Sequence, residues 1–191
     1  MGDKSTQKKQ YIIAKAGEVF ASRGYKDVTM KDVVEACGIS RGGLYLYYAN
    51  TTELFEAVLE EKSQENRSIF EASEEDDATP GDKLLLYLDI CKKALLNKDS
   101  LTTAIYEYLF ANQGDNPVKK QLEGETAILE QIIAEGVEQE WMVCDDPKAA
   151  AGSITYTIEG LKIASVTTGI TEEKIDKTIE YIMGTLGLAV E

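Results

Sequence analysis

The sequence contains no histidine. Histidine is the commonest general base and the commonest zinc ligand in proteins, so Ser-His-Asp and Cys-His catalysis are excluded. An enzyme built from this chain would have to rely on carboxylates, lysines or tyrosines. The sequence also has no phosphate-binding loop and no cluster of metal ligands. We therefore expect a protein that is not an enzyme and that holds no cofactor or metal.

Cysteines and long apolar runs are also scarce. The three cysteines, Cys37, Cys91 and Cys144, are odd in number and form no CxxC pair, which is typical of reduced thiols in a cytosolic protein. No apolar run approaches the length of a membrane span and no signal peptide is recognisable. We expect a cytoplasmic chain that neither crosses a membrane nor is exported by the usual route.

Positive charge is in deficit, but it is unevenly distributed. The formal net charge is −14 over 191 residues, whereas nucleic-acid-binding proteins are usually basic. Residues 1–50 nevertheless carry eight Lys and Arg against five Asp and Glu, and residues 51–191 carry 12 against 29. This asymmetry favours a polyanion-binding N-terminal part. The alternative is an acidic, solvated surface without a functional meaning.

Helical periodicity is present throughout, and no segment has the pattern of a strand. Ile12, Ala16, Val19 and Phe20 share one helix face, and Gly24 can end that helix. Further helices are expected after Thr29, Ser40, Asn50 or Thr51, Ser100 and Thr171, and after three pairs of capping residue and proline: Thr79-Pro80, Asn116-Pro117 and Asp146-Pro147. The sequence therefore predicts an all-α chain of nine helices. The acidic stretch at residues 71–77 is expected to be an exposed connector.

Two of these helices form a helix-turn-helix pattern. A short helix at about residues 30–37 is followed by the turn Cys37-Gly38-Ile39-Ser40 and by a second short helix that starts at Arg41. That second helix has little to bury except Leu44 and Tyr48. Its other residues are large, aromatic or cationic, or are glycines that allow close backbone approach. A DNA major groove accepts one such helix.

Residues 28–34 and 38–48, with the lead-in at residues 16–25, resemble the DNA-binding signature of the TetR (tetracycline-repressor) family. The resemblance covers roughly residues 8–60. Beyond it, only the helix count and Asp146-Pro147-Lys148-Ala149-Ala150 at the start of the eighth helix are similar. The resemblance implies a nine-helix architecture, with a three-helix DNA-binding head at residues 1–50 and a ligand-binding and dimerisation domain at residues 51–191. The fourth helix, from residue 51, would be the only continuous element that joins them.

The resemblance also implies roles for individual residues of the head. Four of them would face base edges: Arg41, Gly43, Tyr45 and Leu46. Four would contact phosphates: Thr29, Lys31, Ser40 and Tyr47. Gly42 would allow close approach. Thr51 stands where the family usually has a lysine, and would meet a phosphate through its hydroxyl and the helix N-terminus. Tyr48 replaces the usual phenylalanine and is expected to pack in the core.

The body offers candidate ligand-binding and dimer residues. The ligand candidates are aromatic residues, a thiol and carboxylates: Tyr87, Cys91, Tyr106, Glu107, Tyr108, Phe110, Trp141, Tyr156 and Glu159. The alternatives are that the aromatic residues pack in the hydrophobic core and that the carboxylates lie on a solvent-exposed helix face. The dimer candidates lie on the last two helices: Ala150, Ile154, Leu161, Ile175, Ile179, Ile182, Met183 and Leu186. Packing within the chain is the alternative for these.

These expectations combine into one functional hypothesis. The chain is expected to be a homodimeric, ligand-responsive transcriptional repressor that binds a palindromic DNA operator and is released by a small-molecule inducer. The acidic body favours a neutral or cationic inducer held by aromatic faces. A DNA-binding activator or an architectural protein remains as an alternative. A further alternative is an all-helical enzyme or carrier with a vestigial head.

Overall fold

The structure, a computed structural model, describes residues 2–72 and 78–188, with side chains described for residues 4–65 and 78–188. Within these ranges the chain forms nine α-helices and no strand, which confirms the all-α expectation. Most of the acidic stretch at residues 71–77 lies outside the described residues. No described helix is both long and apolar enough to cross a membrane. The helices are α1 Gly2–Arg23, α2 Met30–Cys37, α3 Arg41–Tyr45, α4 Thr51–Ala72, α5 Pro80–Leu96, α6 Thr102–Ala111, α7 Pro117–Glu138, α8 Pro147–Thr167 and α9 Glu172–Thr185.

Most helices begin where the capping residues predict, whereas α6 begins at Thr102 after Leu101, without a side-chain cap from Ser100. Thr29 and Thr79 each form a reciprocal capping box with the aspartate three residues later, at α2 and α5. Pro80, Pro117 and Pro147 each stand at the first position of a helix. These local signals explain why the helix boundaries could be predicted from the sequence.

The chain packs as two compact units. The head unit comprises Met1–Glu65 with Asp99–Lys119, and the body unit comprises Asn66–Lys98 with Lys120–Glu191. The head unit therefore contains α6 as well as α1–α3 and the first part of α4. A functional boundary at residue 50 stays a prediction, since the packing units are divided differently. Both α4 and α7 cross from one unit to the other along the chain, so α4 is not the only continuous element that joins them.

Aromatic rings hold α6 within the head unit. The Tyr108 ring on α6 lies 5.3 Å from Tyr25 and 5.4 Å from Phe55, and the Phe55 ring lies 4.7 Å from Phe20. Each pair lies within the range of favourable aromatic contact. The Tyr108 hydroxyl also donates to Oε1 of Glu56 on α4 at 2.6 Å. Tyr108 is therefore a core residue of the head unit, which favours the core alternative over a ligand contact.

The body unit is built from α5, most of α7, α8 and α9 around a second apolar core. Lys92 on α5 joins α9 through Asp176 at 2.5 Å and Glu172 at 2.9 Å. Six of the predicted dimer residues are buried in this core within a single chain: Ile154, Ile175, Ile179, Ile182, Met183 and Leu186. Leu161 and Ala150 are partly buried against it.

Their place in a dimer interface stays a prediction, because within a single chain these side chains already pack in the core. The apolar stripe of an amphipathic helix first covers the core of its own chain, and this stripe is already used there. Ile175, for example, has 0% of its surface exposed. A second chain would have to contact the other sides of α8 and α9.

Candidate nucleic-acid interface

The turn between α2 and α3 is set by its backbone. Gly38 has φ of 62°, in the left-handed region that glycine enters at little cost. Ser40 then caps α3 by accepting a hydrogen bond from the Gly43 amide at 3.1 Å. Leu44 is the buried residue of α3, so one face of α3 packs on the core and the rest remains exposed.

The exposed side of α3 carries the predicted base-reading residues. Arg41 and Tyr45 are exposed, with the Arg41 guanidinium carbon 5.8 Å from the centre of the Tyr45 ring. Leu46, which follows α3, is 83% exposed. Gly42 has open space where a side chain would lie. An exposed arginine, tyrosine and leucine displayed together are suited to a groove that offers guanine acceptors and thymine methyl groups.

The predicted phosphate contacts surround this surface. Thr29, Lys31 and Ser40 are exposed, and Lys31 forms a long ion pair to Glu35 at 3.7 Å. Tyr47 is half-buried, and Thr51 is half-buried at the start of α4. Whether these residues, and those on α3, touch DNA stays a prediction.

Asp32 fixes α2 against the end of α1. Its carboxylate accepts from the Thr29 hydroxyl at 2.6 Å and from the Arg23 guanidinium at 2.6 Å. Hydrogen bonds from Thr29, and then the Arg23 charge, hold the pKa of Asp32 below its usual range. The carboxylate therefore stays ionised over the physiological range and keeps the helix-turn-helix in register.

Tyr48 packs in the core of the head unit, as expected, with only 3% of its surface exposed. Its hydroxyl is buried and has no hydrogen-bond partner among the described residues. Burial, together with Glu53 and Glu61, raises the pKa of Tyr48 to about 12. This side chain therefore packs in the core that anchors α3.

Glu107 has a structural role that the sequence did not reveal. Its Oε2 accepts hydrogen bonds from the backbone amides of Tyr25 at 2.6 Å and Lys26 at 3.0 Å, in the connection between α1 and α2. A Cβ on Gly24 would lie 2.5 Å from the same oxygen, so this close approach requires glycine. The two amides give this carboxylate a structural role within the chain, and its assignment to a ligand site stays a prediction.

Only some of the other ligand candidates come together. In the body unit, Tyr87 and Cys91 on α5 lie close enough to influence each other's pKa, and Glu125 on α7 and Glu159 on α8 influence both groups. Lys162, which the sequence analysis missed, pairs with Glu159 at 2.7 Å. We call Tyr87, Cys91, Glu125, Glu159 and Lys162 the body cluster.

Cys91 is buried, and the other four members of the body cluster are half-buried. Burial raises the pKa of Cys91 to about 11 and raises the pKa of Tyr87 still further from its usual value. Burial also opposes the charge of Lys162, but Glu159 outweighs it and the pKa of Lys162 is raised. The thiol and phenol are therefore neutral at physiological pH, and Lys162 is a cation.

The remaining candidates lie elsewhere. Tyr106, Glu107 and Phe110 belong to the head unit, and Phe110 is 72% exposed. In the body unit, Trp141 is 52% exposed and Tyr156 is 77% exposed. Such exposure argues against a place for Phe110, Trp141 and Tyr156 in an enclosed pocket of their own unit.

Sequence comparison identifies the N-terminal part of the chain. Residues 12–58 match the family "Bacterial regulatory proteins, tetR family". The "Uncharacterized HTH-type transcriptional regulator YfiR" of Bacillus subtilis is 36% identical over 99 residues, which are 51% of this chain and 48% of that protein. The matched part of this chain thus spans about half the length of this curated relative.

Structural comparison extends the likeness to nearly the whole chain. A TetR transcription regulator from Haloarcula marismortui superposes with a TM-score of 0.80 at 19% identity, over 95% of this chain and 97% of that one. The transcriptional regulator FadR from Bacillus subtilis, solved in complex with stearoyl-CoA, gives a TM-score of 0.75 at 20% identity, over 93% and 98%. These structures share the fold. Residues 12–58 therefore match the N-terminal region of tetR-family bacterial regulatory proteins, and the nine helices of the described residues have the fold of these solved regulators.

Proposed function

We propose that this regulator is a homodimeric repressor that binds a near-palindromic DNA operator through α3 and leaves it when a small molecule binds the body unit. The observation that carries the proposal is the display of Arg41, Tyr45 and Leu46 on a capped helix whose opposite side is anchored by buried Leu44. Such an exposed surface matches the chemistry of base edges.

The exposed sides of α8 and α9 support a symmetric dimer. Tyr156, Gly160 and Ile163 follow one another at helical spacing on α8 and are exposed, as are Tyr181 and Gly184 on α9. A Cβ at Gly160 or Gly184 would meet nothing within 4 Å in the chain. Small residues beside exposed tyrosines allow helices of a second copy to approach closely, and two helices from each copy would form a four-helix bundle.

The body cluster is our candidate for the site that senses the ligand. It places two carboxylates, one ammonium, a thiol and a phenol among α5, α7 and α8. With Glu159 paired to Lys162, Glu125 leaves the cluster with an excess of negative charge. This balance favours a ligand with a cationic or hydrogen-bond-donating group, rather than an acyl-CoA such as the stearoyl-CoA bound by FadR.

The segments of chain that connect the head and body units could carry the effect of ligand binding to the DNA-binding helices. A ligand can change DNA affinity only if it binds the DNA-competent and incompetent states unequally. The chain leaves the head unit through α4 and again after α6, and α6 is fastened to the α1–α2 connection by Glu107. We infer that movement of either helix changes the placement of α3. Coupling of about 1–3 kcal/mol would weaken DNA binding roughly 5–150-fold.

Selection of bound duplexes from a random-sequence DNA pool tests the proposal. The wild-type chain is expected to enrich a near-palindrome, and Arg41→Ala is expected to lose about 1–3 kcal/mol of specific affinity and to relax one base position in each half-site. Lys148→Ala, an exposed change at the start of α8, is the matched control and should leave selection unchanged. No enrichment by the wild type would refute DNA recognition. Enrichment of a non-repeating sequence would refute the symmetric dimer. Transcription from a promoter that carries the selected site distinguishes a repressor, which lowers transcription, from an activator, which raises it.

A further inference from the structure

The first turns of α1 are helical without contributing to the core. Residues 4–11 are all exposed, and the first buried side chain of α1 is Ile12. Short helical segments that bury nothing gain little stability in water. Residues 4–11 also carry three lysines and no acidic residue, in a chain whose net charge is −14. A cationic, solvent-facing extension is therefore maintained at this end of the head unit.

This extension lies against the predicted DNA-reading surface. The Lys8 ammonium nitrogen lies 3.9 Å from the position that a Cβ on Gly43 would occupy, at α3. The Ser5 hydroxyl lies 3.5 Å from the Tyr47 hydroxyl, just after α3. One turn later, Tyr11 donates to the carbonyl of Cys37 at 3.3 Å, which ties α1 to the end of α2. Lys8 thus lies beside the same edge of α3 that carries predicted DNA contacts.

Helix geometry separates the lysines. Lys4 precedes Lys8 by one turn on the same side of α1, about 6 Å along the axis, whereas Lys9 is rotated from Lys8 by about 100°. Lys15, nearer the core, is paired with Glu18 at 2.8 Å, while residues 4–11 contain no carboxylate that could neutralise their own lysines. Lys4 and Lys8 therefore extend the cationic edge of α3, whereas Lys9 lies on the opposite side of Ser5, about 100° from Lys8 around the helix axis.

We propose that the first turns of α1 form a second DNA contact, in which Lys8, extended by Lys4, binds backbone phosphates that flank the groove entered by α3. The inference rests on the proposed DNA binding and adds residues that α3 and its phosphate contacts do not include. Lysine binds a phosphate as a point charge without reading the base sequence. The contact should therefore raise affinity for any duplex by a similar factor and should leave selectivity unchanged.

The test compares Lys8→Gln, the double variant Lys4→Gln/Lys8→Gln and the control Lys9→Gln in the full chain. The probes are the duplex selected by the wild type and a scrambled duplex of equal length. Their dissociation constants are measured across a series of salt concentrations, after circular dichroism has shown equal helix content. The slope of log affinity against log salt falls by about 0.9 for each phosphate that the protein no longer neutralises.

We expect Lys8→Gln to reduce the slope by about 0.9 per bound protomer, the double variant to reduce it further, and Lys9→Gln to leave it at the wild-type value. The affinity ratio between the two duplexes should not change in any variant. Equal slopes for Lys8→Gln and wild type, or equal reductions for Lys8→Gln and Lys9→Gln, would overturn the proposed role of Lys8 while leaving α3 recognition intact. Failure of the wild type to bind either duplex would overturn the proposed function, and this inference with it.

Discussion

Replacing Glu107 by alanine tests whether α6 is fastened to the DNA-binding helices. Oε2 of Glu107 accepts the amides of Tyr25 and Lys26 at 2.6 and 3.0 Å. A hydrogen bond to a charged group contributes about 1.5–3 kcal/mol when it is shielded from water. Tyr25 is half-buried and Lys26 is exposed, so water can replace the carboxylate at the second amide. We therefore expect a decrease of about 2 kcal/mol in the free energy of local opening of this connection.

Hydrogen exchange measures that opening directly, because exchange of an amide reports the free energy of the local opening that exposes it. A decrease of about 2 kcal/mol corresponds to roughly 30-fold faster exchange. In Glu107→Ala, the peptides that contain Tyr25 and Lys26 should show this acceleration, and peptides of α9 should not. Glu107→Gln keeps one carbonyl acceptor without the charge and should give a smaller effect.

Two results would refute this reasoning. Unchanged exchange at residues 24–27 in Glu107→Ala would mean that the carboxylate does not hold the connection in solution. Equal acceleration in the head and body units would mean that the substitution destabilises the whole chain. If the reasoning holds, Glu107→Ala should also weaken binding of the selected duplex, because the connection that carries α2 and α3 is less well fixed.

Three further predictions follow from the same structure. Gly160→Arg should shift the chain from dimer to monomer in sedimentation. The matched control is Gly124→Arg on α7, where an added Cβ also meets nothing within 4 Å, and it should leave the dimer intact. Dimerisation of both variants would exclude this face of α8 as the interface. Tyr48→Phe should raise the free energy of unfolding by about 1 kcal/mol, since it removes a buried hydroxyl without a partner, and a decrease in denaturant melts would show that the hydroxyl is satisfied. Hydrogen bonds from Thr79 hold the pKa of Asp82 below its usual value. The stability that Asp82 contributes is therefore present above its unfolded pKa and is lost as the pH falls through its folded pKa. Asp82→Ala should weaken the acid dependence of α5 unfolding, and an unchanged acid melt would contradict the capping role.

The helix boundaries could be predicted because they depend on residues close together in the chain. Thr29, Thr79 and Asp146 each accept the backbone amide three residues later, and such signals are complete within one turn. The glycine turn at Gly38 is likewise local. The exposed side of α3 could be predicted from the same short segment, since few of its residues can be buried.

The placement of α6 and the use of α8 and α9 depend on contacts between distant residues. Nothing in the sequence near Glu107 indicates that its carboxylate accepts amides more than 80 residues earlier. The stripe from Ile175 to Leu186 is equally compatible with its own core and with a second chain, and only packing distinguishes the two. The sequence identifies Tyr156 and Gly160 as an aromatic and a small residue one turn apart. It does not show that both face solvent, because that depends on which side of α8 packs on the core.

The most direct measurement of the central claim is a hydroxyl-radical footprint of the wild-type chain on the duplex that it selects. The account predicts two symmetric protected segments on one side of the duplex, with their centres separated by about 34–36 Å or a multiple of that spacing. Arg41→Ala should lose both segments together at protein concentrations that saturate the wild type. A single protected segment, or protection that Arg41→Ala leaves unchanged, would contradict the account that two copies of α3 read this DNA.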